Sequence, residues 1–191
     1  MYATYQTLGD IMTLEYVGWG NAQGDGTVAG TICQHGDVEC FVHRRFACAK
    51  YSSEDATPDD ALDYVECFDN TLITTFPAGL PPGTVNQTFA AQVLKDCATA
   101  YDYDALEACA SGTDADAFIA KEKAKTPAHS GVPFVTLDDG DILYNSATLN
   151  LVTEVCKAYT GEKPAACTTG VVSAVEQPAP PAAYTVLSST A

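Results

Sequence analysis

At 191 residues the chain is the size of one ordinary domain, or of one domain carrying an insertion, and its 47% apolar content is enough to bury a continuous core. Its 25 acidic against 9 basic side chains leave a formal charge of −16, a surface that repels nucleic-acid phosphates and anionic lipid, so neither is expected as a partner. No stretch approaches the roughly 18 apolar residues of a membrane span.

Taken in order, residues 2–8 (YATYQTL) read as the tail of a helix. Met12 to Trp19 (MTLEYVGW) is β-rich and apolar on both faces, which predicts a buried strand. A Gly-rich loop follows. Asp37 to Tyr51 carries Val38, Phe41, Val42, Phe46 and Ala49 at helical spacing, with acids at its start and Lys50 at its end. Thr57-Pro58 opens the next helix, with Leu62, Val65, Phe68 and Leu72 on one side. Thr84 opens another, carrying Phe89, Val93 and Cys97. Two shorter helices are expected near 103–111 and 114–125, the second capped by Thr113 with Asp116 three residues on. After Pro127 the pattern changes: VPFVTLDDGDILYN reads as a β-hairpin turning at Asp139-Gly140. Ser146 is expected to cap a last helix bearing Leu149, Val152, Val155 and Tyr159. From residue 168 the text reads as a flexible Pro-rich tail.

Eight cysteines, at 33, 40, 48, 67, 97, 109, 156 and 167, form an even set of the kind an oxidising compartment keeps paired. Three readings compete for the dense stretch CQHGDVECFVHRRFAC. As metal ligands, Cys33, His35, Cys40, His43 and Cys48 have zinc chemistry, but their spacing matches none of the common fingers. His43-Arg44-Arg45 reads more simply as a solvated helix face. A redox centre needs an exposed, thiolate-prone cysteine, usually of C-x-x-C at a helix start, and no two cysteines are three apart. As staples, Cys40 and Cys48 lie roughly 12 Å apart along one helix and cannot pair with each other. Cys97 could pair with Cys109, and Cys156 with Cys167. Cys33, Cys40, Cys48 and Cys67 are then left with two options: 33–40 with 48–67, or 33–48 with 40–67. No metal or cofactor is expected. The sequon at Asn86 is compatible with a glycan.

CQHGDVEC, followed by Cys48, by HSGVPFVTLDDGDIL and by VCKAYTGEKPAAC, resembles the gamma-interferon-inducible lysosomal thiol reductase family, whose signature is C-Q-H-G-x2-E-C. YVGWGNAQ and the cysteines of VEC, KDC and EACASG extend the likeness over about residues 12–167. The resemblance implies an α/β, thioredoxin-like sheet within residues 1–167, carrying a helical insertion over about 37–125 and stapled by all eight cysteines. It implies a secreted protein, or one of the endosomal or lysosomal lumen, acting on disulfide-containing proteins or peptides. Val132 and Pro133 fall where such folds place a cis-proline loop that faces substrate, and His35 is expected to order its loop rather than to catalyse. Family members carry a first strand, a dithiol and a long helix ahead of the segment matching MTLEYVGWGNAQ, and about ten residues stand there in this chain. No signal peptide is visible. The expectation is a truncated form, inactive as given because its cysteines supply no active dithiol; a thiol left near pKa 8.5 would in any case be only about one part in ten thousand thiolate at pH 4.5. The alternative is a non-catalytic, disulfide-stapled module that binds peptides or a partner.

Overall fold

The computed structural model describes residues 1–53, 56–76, 85–137, 141–144 and 150–168. Its centre is α2 (Asp37–Tyr51), around which α3 (Pro58–Thr75), α4 (Gln87–Cys97), α5 (Tyr103–Ser111) and α6 (Asp114–Lys125) gather. These helices start where local chemistry starts them. Thr57 and Asp60 form a reciprocal capping box with Pro58 behind it, and the side chains of Asn86 and Asp102 accept from the first free N–H groups of α4 and α5. The helix expected to open at Thr84 therefore opens at Asn86, and Thr84 itself lies outside the described residues. Thr113 makes no side-chain cap; the Asp116 carboxylate that was to support it instead accepts from the Val28 N–H.

The core forms around Phe46 of α2, whose ring meets the edges of Tyr16, Tyr64 and Phe68 at centroid distances of 6.2, 5.6 and 5.6 Å. Val42, Leu72 and Leu94 fill the space around them. A smaller cluster joins Leu8 of α1 (Tyr2–Leu8) to Val155 and Cys156 of α7 (Leu151–Ala158). Asn150 caps α7 by accepting from the Thr153 N–H; Ser146, expected in that role, lies outside the described residues, as do Asp139, Gly140 and the tail from 169.

The strands differ most from expectation. Among the described residues they pair as two separate antiparallel ribbons, β1 (Gln23–Gly24) with β2 (Thr31–Ile32) and β3 (Phe134–Leu137) with β4 (Asp141–Tyr144), and no larger sheet is formed. The hairpin keeps the predicted arrangement, with Phe134 opposite Tyr144 and Leu137 opposite Asp141. Residues 12–19, however, join no strand. Their backbone is bound by side chains: the Gly18 N–H donates to Glu122, and the Tyr16 carbonyl accepts from the Lys50 ammonium. Side chains thus take two backbone groups that a strand would commit to a ladder. Glu122, only 3% exposed, also accepts from Lys50 at 3.0 Å and from the Tyr51 hydroxyl. One carboxylate thus ties the segment to both α2 and α6.

Nor are His43 and Arg45 on a solvated face. They are 5% and 4% exposed, because α2 is covered by helices on most sides. Arg45 is compensated by a bidentate pair with Glu107 of α5, a 2.7 Å bond from its guanidinium to the Phe41 carbonyl, and a stack on the Phe41 ring at 3.3 Å. Glu107→Ala is expected to destabilise the protein by roughly 3 kcal/mol, because it strands a buried guanidinium, whereas Arg45→Met with Glu107→Leu should fall within about 1 kcal/mol of wild type. Urea unfolding of the two variants checks this, and a double variant weaker than the single one contradicts it.

Candidate functional site at the CQHG loop

Each residue type of CQHGDVEC has a structural task. Gly36 precedes α2 at φ +89°, a conformation that costs a side-chain-bearing residue dear even where there is room for one. Glu39, in the first turn of α2 and 4% exposed, reaches back to accept from the His35 N–H at 2.6 Å, with the ring Nδ1 of His35 at 3.4 Å from the same oxygen. This is a capping box displaced by one residue, and it accounts for the spacing between Cys33 and the acid. His35 thus sits where it orders the loop. Cys33 and Cys40 are bonded to each other across the turn, with Cα atoms 5.5 Å apart. Gln34 points outward, its Oε1 accepting from the Asn21 side-chain amide at 2.7 Å.

The remaining cysteines close three further bridges: Cys48–Cys109, Cys67–Cys97 and Cys156–Cys167. Neither expected partner for Cys48 and Cys67 is correct, and Cys97 does not pair with Cys109. The reason is packing direction. Cys48 and Cys109 face each other where α2 meets α5, helices far apart in sequence, and Cys67 faces Cys97 where α3 packs on the helix that follows it, α4. With Cys33 and Cys40 joined to each other and Cys48 to Cys109, the five residues weighed as zinc ligands present no free thiolate. No free cysteine remains in the chain.

The Cys33–Cys40 bridge lines a narrow cleft of about 10 Å³, room for little more than a water molecule, walled by Trp19, Val28, Thr31, His43 and Ile119. On the other side of Gln34 lies the loop that precedes β3. Here the Val132–Pro133 bond is cis, and His129 stacks on Phe134 at 5.5 Å while its Nε2 lies 3.0 Å from Asn21 Oδ1. The fold therefore brings the CQHG loop, Asn21 and the proline loop together. Asn21 and His129 lie within the matched stretches YVGWGNAQ and HSGVPFVT, but spacing alone gives no sign that they meet. Asn86 is exposed, its Oδ1 engaged by the Phe89 N–H at 2.9 Å. Among the described residues no helix is long and apolar enough to cross a membrane.

These features define a helix-dominated, fully disulfide-bonded protein with a cysteine-clamped loop at the start of its central helix. The profile of the family described as "Gamma interferon inducible lysosomal thiol reductase (GILT)" matches residues 1–77. The protein named "Gamma-interferon-inducible lysosomal thiol reductase" of Carassius auratus is 30% identical over 183 residues, an alignment covering 88% of this chain and 64% of that relative. These two matches support the gamma-interferon-inducible lysosomal thiol reductase family for this chain. It spans a little under two thirds of the length of the relative it matches.

Burial, and then the nearby His35, lowers the His43 imidazole to about 4. The unfolded chain would take up this proton near pH 6.5, so the contribution of a neutral His43 is intact above that pH and is lost as pH falls toward 4. Glu39 has the opposite sign: burial holds its carboxyl above the usual range against the bonds from His35, so acid favours the folded state there. His43→Leu is expected to remove about 2–3 kcal/mol of the stability lost between pH 7.5 and 4.5. Urea titrations at the two pH values measure it, and an unchanged difference would refute the assignment.

Proposed function

We propose that this chain is the disulfide-clamped body of a thiol-disulfide oxidoreductase acting on protein disulfides in the lysosomal lumen or outside the cell. The match to the family's profile supports the reading, as does the name of the Carassius auratus relative, a thiol reductase. The pairing of every cysteine supports the oxidising compartment. In this reading the β3–β4 hairpin belongs to a thioredoxin-like sheet, Val132 and Pro133 offer backbone groups to an extended substrate, and Asn86 carries a glycan on the amide nitrogen that its cap leaves unused.

Reduction of a substrate disulfide begins when a thiolate attacks one sulfur; the other leaves as thiolate, and a second thiol resolves the mixed disulfide. The observation that carries most weight is that all eight cysteine sulfurs of this chain are already paired in disulfides. In its oxidised state the chain brings no nucleophile, and its contribution is the scaffold and the substrate-facing loop. The same observation favours a second reading, a stapled module that binds extended peptides without chemistry.

In an insulin-reduction assay the 191 residues should give the rate of the small-molecule thiol alone, and titration of the native protein should find well under one free thiol per chain. Turnover above that background overturns the assignment of no nucleophile. Saturable binding of an extended disulfide-containing peptide, lost in Pro133→Ala, is the expected sign of the proline loop's role, and failure of the wild type to bind removes it.

A further inference from the structure

His129 is held at both of its ring nitrogens. Its Nδ1 lies 2.8 Å from the Pro127 carbonyl oxygen and its Nε2 lies 3.0 Å from Asn21 Oδ1. Both neighbours are acceptors, and a neutral imidazole has only one N–H to give. With the Asn21 amide so oriented, a neutral ring satisfies one of the two acceptors and a doubly protonated ring satisfies both. Beyond Asn21 the sequence of bonds continues, because Asn21 Nδ2 donates to Gln34 Oε1 at 2.7 Å.

A ring with one N–H that keeps its bond to the Pro127 carbonyl, a backbone group that cannot turn to offer a donor, sets its Nε2 lone pair against Asn21 Oδ1. The contact is relieved when the Asn21 amide makes a half-turn and presents Nδ2 to the ring. Its Oδ1 then meets Gln34 Oε1, and the Gln34 amide has to turn as well, so that its Nδ-equivalent, Nε2, becomes the donor. The state of one ring is thereby written into the orientation of a side chain of the CQHG loop, two residues away along the bonded path. We infer that His129 is a proton-sensing positioning residue that, through Asn21, couples the CQHG loop to the loop carrying Val132 and Pro133.

Histidine is the side chain that changes charge between neutral and mildly acidic solution, the interval that separates the start and end of an endocytic route. The described partners of His129 include no charged side chain: they are the Asn21 amide, the Pro127 carbonyl and the Phe134 ring. The titratable groups bordering the path are His35, next to Gln34 in the chain, and Glu39, which pairs with it. At low pH the doubly donating ring makes both bonds charge-assisted, and the two loops are held together more firmly. The inference holds whether or not the chain takes part in disulfide reduction.

Side-chain nitrogen resonances of the isotopically labelled full chain, followed from pH 7.5 to 5, test it. In the wild type the amide groups of Asn21 and Gln34 should shift with the same midpoint as the ring nitrogens of His129. In Asn21→Ala, which keeps His35 and Glu39, His129 should still titrate while the Gln34 shift falls at least threefold. In His129→Phe, which keeps the stack on Phe134, both amides should stop responding. A Gln34 amide that stays still while His129 titrates in the wild type overturns the inference, and so does a response that survives undiminished in Asn21→Ala. The wild-type comparison decides alone if a variant fails to fold.

Discussion

The burial of α2 is the constraint on which the rest of the molecule depends. A helix of 15 residues that includes Glu39, His43, Arg45 and Lys50 cannot be covered on most sides unless those groups find partners within the protein. For Arg45 and Lys50 the partners come from far along the chain, and for Glu39 from the loop just before it. Glu107 of α5 answers Arg45, Glu122 of α6 answers Lys50, and the CQHG loop answers Glu39. Each pairing fixes a helix or a loop against α2 at a defined height, so the polar groups set the register of a core whose apolar contacts would tolerate several. The cost of desolvating them is offset only because the geometry is bidentate or multiply bonded.

The four disulfides act on the same contacts by a different route. Cys48–Cys109 and Cys67–Cys97 close stretches of 61 and 30 residues, and each limits the unfolded chain by something like 3–4 kcal/mol in the loop-entropy account. Cys33–Cys40 closes only 7 residues, and it serves instead to hold the CQHG turn against the first turn of α2. Together with Glu39 and Gly36 it gives that turn three independent restraints. A loop so constrained is a platform, and the functional reading follows from what stands on it: Gln34, facing Asn21 and the proline loop.

Much of this was legible in the sequence. The helices of the middle of the chain were, because capping residues and apolar spacing are local signals: Thr57-Pro58 and the Asp37–Tyr51 pattern mark their own ends. The hairpin was legible for the same reason. What was not legible depends on residues brought together by packing. Met12 to Trp19 has the composition of a strand, but the Glu122 and Lys50 side chains take the Gly18 N–H and the Tyr16 carbonyl, and no pattern within eight residues can announce partners that lie more than thirty and a hundred positions away. The bridges failed in the same way: sequence distance favoured Cys97 with Cys109, whereas the faces of α2, α3, α4 and α5 decide the matter. His43 and Arg45 were read as solvated because charged residues generally are, and the covering of α2 is a property of the whole fold. The CQHG loop was recognised by its signature, while the strut through Asn21 and His129 needed three segments in place at once.

The smaller cluster of Leu8, Val155 and Cys156 joins α1 to α7, with Leu137 of β3 and Cys167 packed against it. It is separate from the core built around Phe46 and draws on segments about 150 positions apart. During synthesis α1 precedes α7 by about 140 residues and meets α3 first, where Asp63 and Asp59 accept from the Tyr2 and Tyr5 hydroxyls, whereas α2 to α6 can assemble among themselves. The helical block is therefore the unit able to acquire structure while translation continues, and the meeting of α1 with α7 is a clasp that closes only once residues 151–158 have been made.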